Sequence, residues 1–167
     1  MIDVSELKAG QTIYLTGTIY TARDAAHGRL KALLDAGEKS PVDFEGKFIY
    51  YAGPTPERPG RPIGAIGPTT SSRMDSFISY MPRLKVAGMI GKGDRSDKVT
   101  EACKKYKMVY LLATGGAGAL LARCVKSSKV VAFDDLGCEA IRELTVENFP
   151  VIVAYDTLGG NIFQRTK

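Results

Sequence analysis

Along this chain a strand-like run repeatedly stops at a glycine or small-residue turn, and a polar or cationic side chain stands at or near the helix start that follows. The turns are Thr21-Ala22-Arg23-Asp24-Ala25-Ala26-His27, Gly67-Pro68-Thr69-Thr70-Ser71-Ser72-Arg73-Met74-Asp75, Gly91-Lys92-Gly93-Asp94 and Thr114-Gly115-Gly116-Ala117-Gly118. Strands that alternate with helices point to an α/β fold, in which such turns collect at the carboxyl ends of parallel strands, where ligands bind. Helix N-termini there add unpaired N–H groups and partial positive charge, which suits anions. With 167 residues, 44% of them hydrophobic, the chain can bury a sizeable core as one domain over residues 1–167.

The segments between the turns fit that scheme. Thr12 to Tyr20 is β-branched and aromatic and reads as a strand. Thr21 is the expected cap of the next helix, with Asp24 completing an acidic capping box. Ala26, Leu30, Leu33 and Leu34 form its apolar face, and Gly37 ends it. Val42 to Tyr51 is strand-rich and reads as a hairpin turning at Glu45-Gly46. Four prolines between Pro54 and Pro62 make a loop. Met74, Phe77, Ile78 and Met81 predict a helix from near Thr70 to Pro82. Lys85 to Ile90 is a short strand, broken by Gly91-Lys92-Gly93. Val99, Ala102, Cys103 and Tyr106 mark a helix, Met108 to Ala113 a buried strand, and Gly115 to Val125 a turn and helix. Lys129 to Phe133 reads as a strand, Glu139 to Leu144 as a short helix, and Val151 to Tyr155 as a final strand.

Composition narrows the function classes. The formal net charge is +5, but the 23 Lys and Arg are spread along the chain. That distribution fits an anionic metabolite better than a nucleic acid, and no nucleic-acid partner is expected. No run of about 18 apolar residues occurs, so no membrane span is expected. Met1-Ile2-Asp3 opens into a polar segment without a leader pattern, and the expected compartment is the cytoplasm. Cys103, Cys124 and Cys138 follow no metal-site spacing and read as buried free thiols, and the single His27 cannot make a histidine metal site. No metal is expected on this chain.

Arg23 and Arg73 are the leading candidates for function. A guanidinium binds a carboxylate through two parallel hydrogen bonds, and a dicarboxylate needs two grips. Each Arg also falls in a first helical turn, where a cation opposes the helix dipole. A residue placed against local preference is a pointer to function. Arg83 and Arg95 read instead as solvated surface residues. Lys92, between two glycines, reads either as a ligand contact or as an ordinary turn lysine. The Thr69 hydroxyl either caps the helix or faces a ligand. His27, one turn beyond Arg23, reads as a hydrogen-bonded structural residue. Gly116-Ala117-Gly118 with Asp134 and Asp135 invites a dinucleotide reading, but Leu121 stands where that fingerprint needs a small residue.

Taken in order, T-A-R-D-A-A-H-G-R (Thr21 to Arg29), G-P-T-T-S-S-R-M-D (Gly67 to Asp75), G-K-G (Gly91 to Gly93), G-G-A-G-A-L (Gly115 to Leu120) and the tail L-G-C-E-A-I-R-E-L-T-V-E-N-F-P (Leu136 to Pro150) resemble one family. It is that of the β subunit, or carboxy-terminal domain, of class I fumarases and the related L-tartrate dehydratases. The resemblance implies a swivelling β/β/α domain, a mixed sheet with flanking helices, and reversible hydration of fumarate to L-malate. It implies a [4Fe-4S] cluster bound by three cysteines of the other subunit or domain, whose open iron acts as a Lewis acid on the substrate. Because the chain begins at its own Met1, it reads as the split form, working with a separate cluster-bearing α subunit. Carried over by motif, Arg23, Arg73 and Lys92 are implied to bind the substrate carboxylates, and Thr69 to move the C3 proton. Asp24, His27 and Thr70 take supporting roles.

Two rival functions remain at this level. One is a stand-alone nucleotide- or anion-binding module using the Gly115 to Gly118 turn. The other is an assembly subunit whose cationic loops only dock a partner. An uncovered partner-binding face also allows a homodimer.

Overall fold

The computed structural model describes residues 2–164. Six strands make one mixed sheet: β1 (Thr12–Thr21), β2 (Phe48–Tyr50), β3 (Gly88–Gly91), β4 (Val109–Leu112), β5 (Val125–Ala132) and β6 (Ile141–Tyr155). β1, β2, β3 and β4 are successive parallel neighbours. β6 is antiparallel to β1 along one side; on its other side it pairs with β5 over its first half and β4 over its second. Pairing with both β1 and β4 closes the sheet into a barrel-like ring, with β5 as an extension. Parallel strands joined by crossover connections leave their carboxyl ends on one rim.

The side-chain alternation of the central strands divides the apolar residues between two cores. Phe48, Tyr50, Ile90, Val109 and Leu111 point into the ring with Leu144, Phe149 and Val151. Ile49, Met89 and Tyr110 point outward, beneath α1 (Asp24–Asp35), α2 (Asp97–Tyr106) and a 3-10 helix at Ser71–Leu84. Both faces of β2, β3 and β4 are therefore covered, which is why their sequences are almost continuously apolar. The helices contribute Ala26, Leu30 and Leu34, then Met74, Ile78, Met81 and Leu84, then Val99 and Cys103. Burying one such Leu, Ile or Met side chain stabilises by roughly 1.5–3 kcal/mol. A short helix, α3 (Gly118–Arg123), buries Leu121 in the inner core. No helix among the described residues is long and apolar enough to cross a membrane.

The mixed α/β architecture with flanking helices is as expected, but several local readings are corrected. Thr21 ends β1 instead of capping α1, because strand pairing with Arg142 continues through it; Arg23 takes the cap position without a side-chain hydrogen bond. Val42 to Tyr51 is not a hairpin. The turn at Glu45-Gly46 is real, but Val42 and Phe44 are buried in a loop, and only Phe48–Tyr50 joins the sheet, parallel to both neighbours. The helix after Thr70 has 3-10 geometry and runs through Pro82 to Leu84. Glu139 to Leu144 is not helical: a 3-10 turn ends at Glu139 and β6 begins at Ile141. The thiols are not uniformly buried, since Cys124 is half-buried and Cys138 exposed.

Packing at the end of β3 is tight enough to test. A Cβ added to Gly91 would collide with the Ser71 side chain and lie 3.1 Å from the Tyr51 ring. Gly91→Ala is expected to lower stability by about 1–3 kcal/mol, the usual cost of overpacking, measured by chemical denaturation. Adding Ser71→Ala is expected to recover part of that loss.

Candidate active site

The carboxyl ends of the parallel strands bring the motif residues to one rim. Arg23 follows β1, Tyr51 follows β2, Lys92 follows β3 and Gly115 lies beyond β4. The Thr69–Thr70 segment is laid across this rim by backbone bonds. Thr69 N and Thr69 Oγ1 both donate to the Tyr51 carbonyl at 2.8 Å. Thr70 forms an isolated parallel bridge with Lys92. Ser71 N donates to the Lys92 carbonyl at 3.0 Å, and Lys92 N donates to Ser71 Oγ at 3.0 Å. The Lys92 stem crosses Gly115 so closely that a Cβ there would lie 2.9 Å from Lys92 Cδ.

Arg23 and Arg73 meet at one oxygen. Asp24 Oδ2 is 3.7 Å from Arg23 Nε and 3.6 Å from Arg73 Nη2. Glu139 Oε1 is 3.9 Å from Arg23 Nε. These separations allow charge attraction but exceed hydrogen-bonding distance. Arg23 Nε and Asp24 Oδ2 are buried without a hydrogen-bond partner. The acids face the Nε side of Arg23, which leaves its terminal nitrogens as the accessible edge. Gly53 gives that end its room: a Cβ at Gly53 would lie 3.2 Å from Arg23 Nη1 and 3.0 Å from the Cys138 carbonyl. The Arg23 and Arg73 side chains are 24% and 50% exposed, so both are open to a ligand.

The remaining candidates sit differently. Thr70 is exposed, and Thr69 is half-buried with its hydroxyl proton committed to Tyr51. His27 lies behind the site, 2% exposed, with its ring against Tyr51 and Phe77. Burial, reinforced by the nearby Arg95 charge, lowers its pKa to about 4, with Asp24 and a bond to the Ala22 backbone opposing the shift. The Gly115 to Gly118 turn is engaged in packing. Ile66 N donates to the Gly118 carbonyl at 3.0 Å, a Cβ at Gly118 would lie 3.0 Å from Gly67 N, and α3 has only six residues.

Several residues near the site carry no signal in the local sequence pattern. Glu139 accepts from Ala25 N at 3.4 Å and thereby serves the start of α1 from 114 residues away. Arg95 is not a solvated surface residue. It is 5% exposed and donates from Nε to Asp75 Oδ1 at 2.7 Å. Arg83 is exposed but also functional in the fold, donating to the Leu34 carbonyl at the end of α1 at 2.6 Å. Asp75 lies inside the G-P-T-T-S-S-R-M-D motif, which was the only available hint of the Arg95 contact.

Among the described residues, no group of three His, Cys, Asp or Glu side chains is placed to hold a metal ion. Cys103 is buried, and burial pushes its thiol up to about 12.

The family model for the fumarase C-terminus matches residues 2–166. The chain belongs to the fumarase C-terminus family. It is 40% identical over 167 residues to the anaerobic class I fumarate hydratase of Escherichia coli K12, covering 99% of this chain but 30% of that protein. Against the putative L(+)-tartrate dehydratase subunit beta of Methanocaldococcus jannaschii, identity is 42% over 168 residues, covering 97% of this chain and 86% of the relative. The L(+)-tartrate dehydratase subunit beta of E. coli K12 is 34% identical, with 99% and 83% covered. The chain thus spans about 30% of the length of the fumarate hydratase and most of each tartrate dehydratase subunit.

The buried His27 gives a pH signature. Its folded pKa of about 4 lies below the ordinary 6.5, so the unfolded chain takes up the proton first. Stability is complete above about pH 6.5 and falls as pH drops toward 4. Linkage gives a loss of about 2 kcal/mol between roughly pH 7 and pH 5. His27→Gln is expected to remove most of that slope in urea titrations across the interval.

Proposed function

We propose that this chain is the β subunit of an iron–sulfur hydro-lyase that reversibly hydrates fumarate to L-malate. The active site is shared with a cluster-bearing α subunit, and this chain supplies the grip on the substrate. The observation that carries the reading is the convergence of Arg23 and Arg73 on Asp24 Oδ2, with Lys92 on the same rim. The [4Fe-4S] cluster is assigned to the α subunit, where it would supply a Lewis acid for the substrate hydroxyl. The free thiols suit the reducing cytoplasm, where we place the complex.

The chemistry follows from the side chains. Fumarate carries two carboxylates, and each guanidinium offers a planar pair of donors. Partly exposed ion pairs such as those to Asp24 are worth at most about 1 kcal/mol, so an incoming carboxylate competes with Asp24 effectively. Lys92 adds a point charge whose stem is fixed over Gly115. When the C3 proton of malate leaves, negative charge builds on the neighbouring carboxylate as an aci-carboxylate, and the three cations stabilise it. Thr69 is assigned to that proton: its hydroxyl first releases to solvent the hydrogen now donated to the Tyr51 carbonyl, the neighbouring cations favour the resulting alkoxide, and the alkoxide takes the C3 proton to restore the hydroxyl. Asp24 draws the guanidiniums together, Thr70 fixes the Lys92 turn, and His27, itself on α1, packs behind the site against Tyr51 and Phe77.

A second reading, L-tartrate dehydratase β subunit, is favoured by one observation: the two tartrate dehydratase subunits are matched along 86% and 83% of their length. Tartrate differs from malate by one hydroxyl, and the same carboxylate grips serve both.

The test is anaerobic co-expression with a three-cysteine α subunit and assays on fumarate, L-malate and the tartrate isomers. Fumarate hydration by the complex is expected, with none by this chain alone. Arg73→Lys keeps the charge but loses the planar fork, so assembly should be normal and turnover should fall about 100-fold or more. Loss of assembly with no specific loss of turnover would instead assign the cationic loops to docking.

A further inference from the structure

We infer that Arg95 is a positioning residue: one buried guanidinium that joins the separate loops carrying Thr69, Arg73 and Lys92. The inference rests on the substrate-binding role proposed above for those residues.

The contacts of Arg95 lead to each loop. Its Nε donates to Asp75 Oδ1 at 2.7 Å, and Asp75 lies two residues beyond Arg73 in the same 3-10 helix. Its Nη1 donates to Tyr51 Oη at 3.3 Å, and the Tyr51 carbonyl holds both Thr69 donors. Its own backbone follows the Lys92 turn by three residues, and its N–H donates to Tyr155 Oη at 2.7 Å. The guanidinium carbon lies 5.4 Å from the Tyr51 ring centre and 5.3 Å from that of Tyr110. Tyr110 Oη in turn donates to the Gly93 carbonyl at 2.8 Å, pinning the residue after Lys92. The other carboxylate oxygen of Asp75 accepts from Ser96 N at 2.8 Å.

Stability alone is a poor explanation for this arrangement. The Arg95 side chain is 0% exposed, and its Nη2 has no hydrogen-bond partner. A buried ion pair of this kind seldom stabilises more than a well-packed apolar pair of similar volume. What an apolar pair lacks is direction. The fork of Arg95 fixes the 3-10 helix and the strand-end Tyr51 at set angles, and rigid support of this sort keeps substrate-gripping groups in register. Arg95 makes no hydrogen bond to the side chains of Arg23, Thr69, Arg73 or Lys92, so its effect reaches the site through Asp75, Tyr51 and the Lys92 turn.

The test uses the assembled α–β complex carrying Arg95→Lys, which keeps a buried cation but cannot reach Asp75 and Tyr51 together. The complex is expected to assemble, with kcat/KM for fumarate lowered about 100-fold, the scale of a misplacement near 1 Å. Unchanged kcat/KM in folded complex would overturn the inference. Hydrogen exchange read by mass spectrometry supplies a measure independent of turnover. Segments 69–75 and 91–95 should lose protection while α1 and β6 keep theirs; uniform loss, or none, counts against a positioning role. Should Arg95→Lys fail to fold, Tyr51→Phe removes only the hydroxyl that Arg95 reaches, and both measurements apply to it with smaller changes in the same directions. If the wild-type complex does not hydrate fumarate, the substrate assignment fails, and the exchange pattern still decides whether Arg95 orders these loops.

Discussion

The pairing of β6 along both of its sides is the constraint from which the rest of the molecule follows. In its 15 residues it meets β1 on one side and β5 then β4 on the other. Without that strand, β1 to β4 would form an open parallel sheet whose outer members lie far apart. With it, the ring closes, while Arg23, Lys92 and Gly115 share a rim because Thr21, Tyr50, Ile90 and Leu111 stand side by side in the parallel register. The connection into β6 also delivers Glu139 to the start of α1. Parallel register thus sets the rim, and β6 adds to it a residue from the far end of the chain, Glu139.

The electrostatics of the rim depend on mismatch. Asp24 lies near two guanidiniums but at hydrogen-bonding distance from neither. The cations are drawn together, yet the buried Arg23 Nε stays without a hydrogen bond. Behind this layer the polar groups become progressively more enclosed. His27 is held neutral by burial and by the charge of Arg95, while Arg95 itself is held by Asp75 and two tyrosines. The outer layer is open for binding, and the inner layer is closed and directional.

Much of this was legible in the sequence where local pattern and tertiary demand agree. The β-branched run of β1, the apolar run of β4 and the helical spacing of α1 and α2 each identify their element because burial of the expected face is what the fold requires. The turn motifs likewise placed Arg23, Arg73 and Asp24 in one cluster. Failures occur where distant partners decide. Ile141 and Leu144 are three apart, a helical spacing, but β1 and β5 lie on either side and draw the segment into a strand. Val42 to Phe44 looks strand-like because it is buried, although it makes no ladder. Arg95 and Arg83 cannot be told apart locally. Only the assembled fold shows that one is enclosed by Tyr51, Tyr110 and Asp75 while the other lies at the surface.

Closure of the ring also determines how the molecule meets its neighbours in a crowded solution. Among the described residues, β5 is the strand that pairs along a single side throughout, leaving a row of backbone donors and acceptors unpaired on its other side. Its sequence, Val125-Lys126-Ser127-Ser128-Lys129, sets two lysines on that margin, and Lys126 is tied to Glu147 at 3.2 Å. Charged side chains on an outer strand make the addition of a foreign strand costly. The architecture thus guards the margin of its outermost strand with charge.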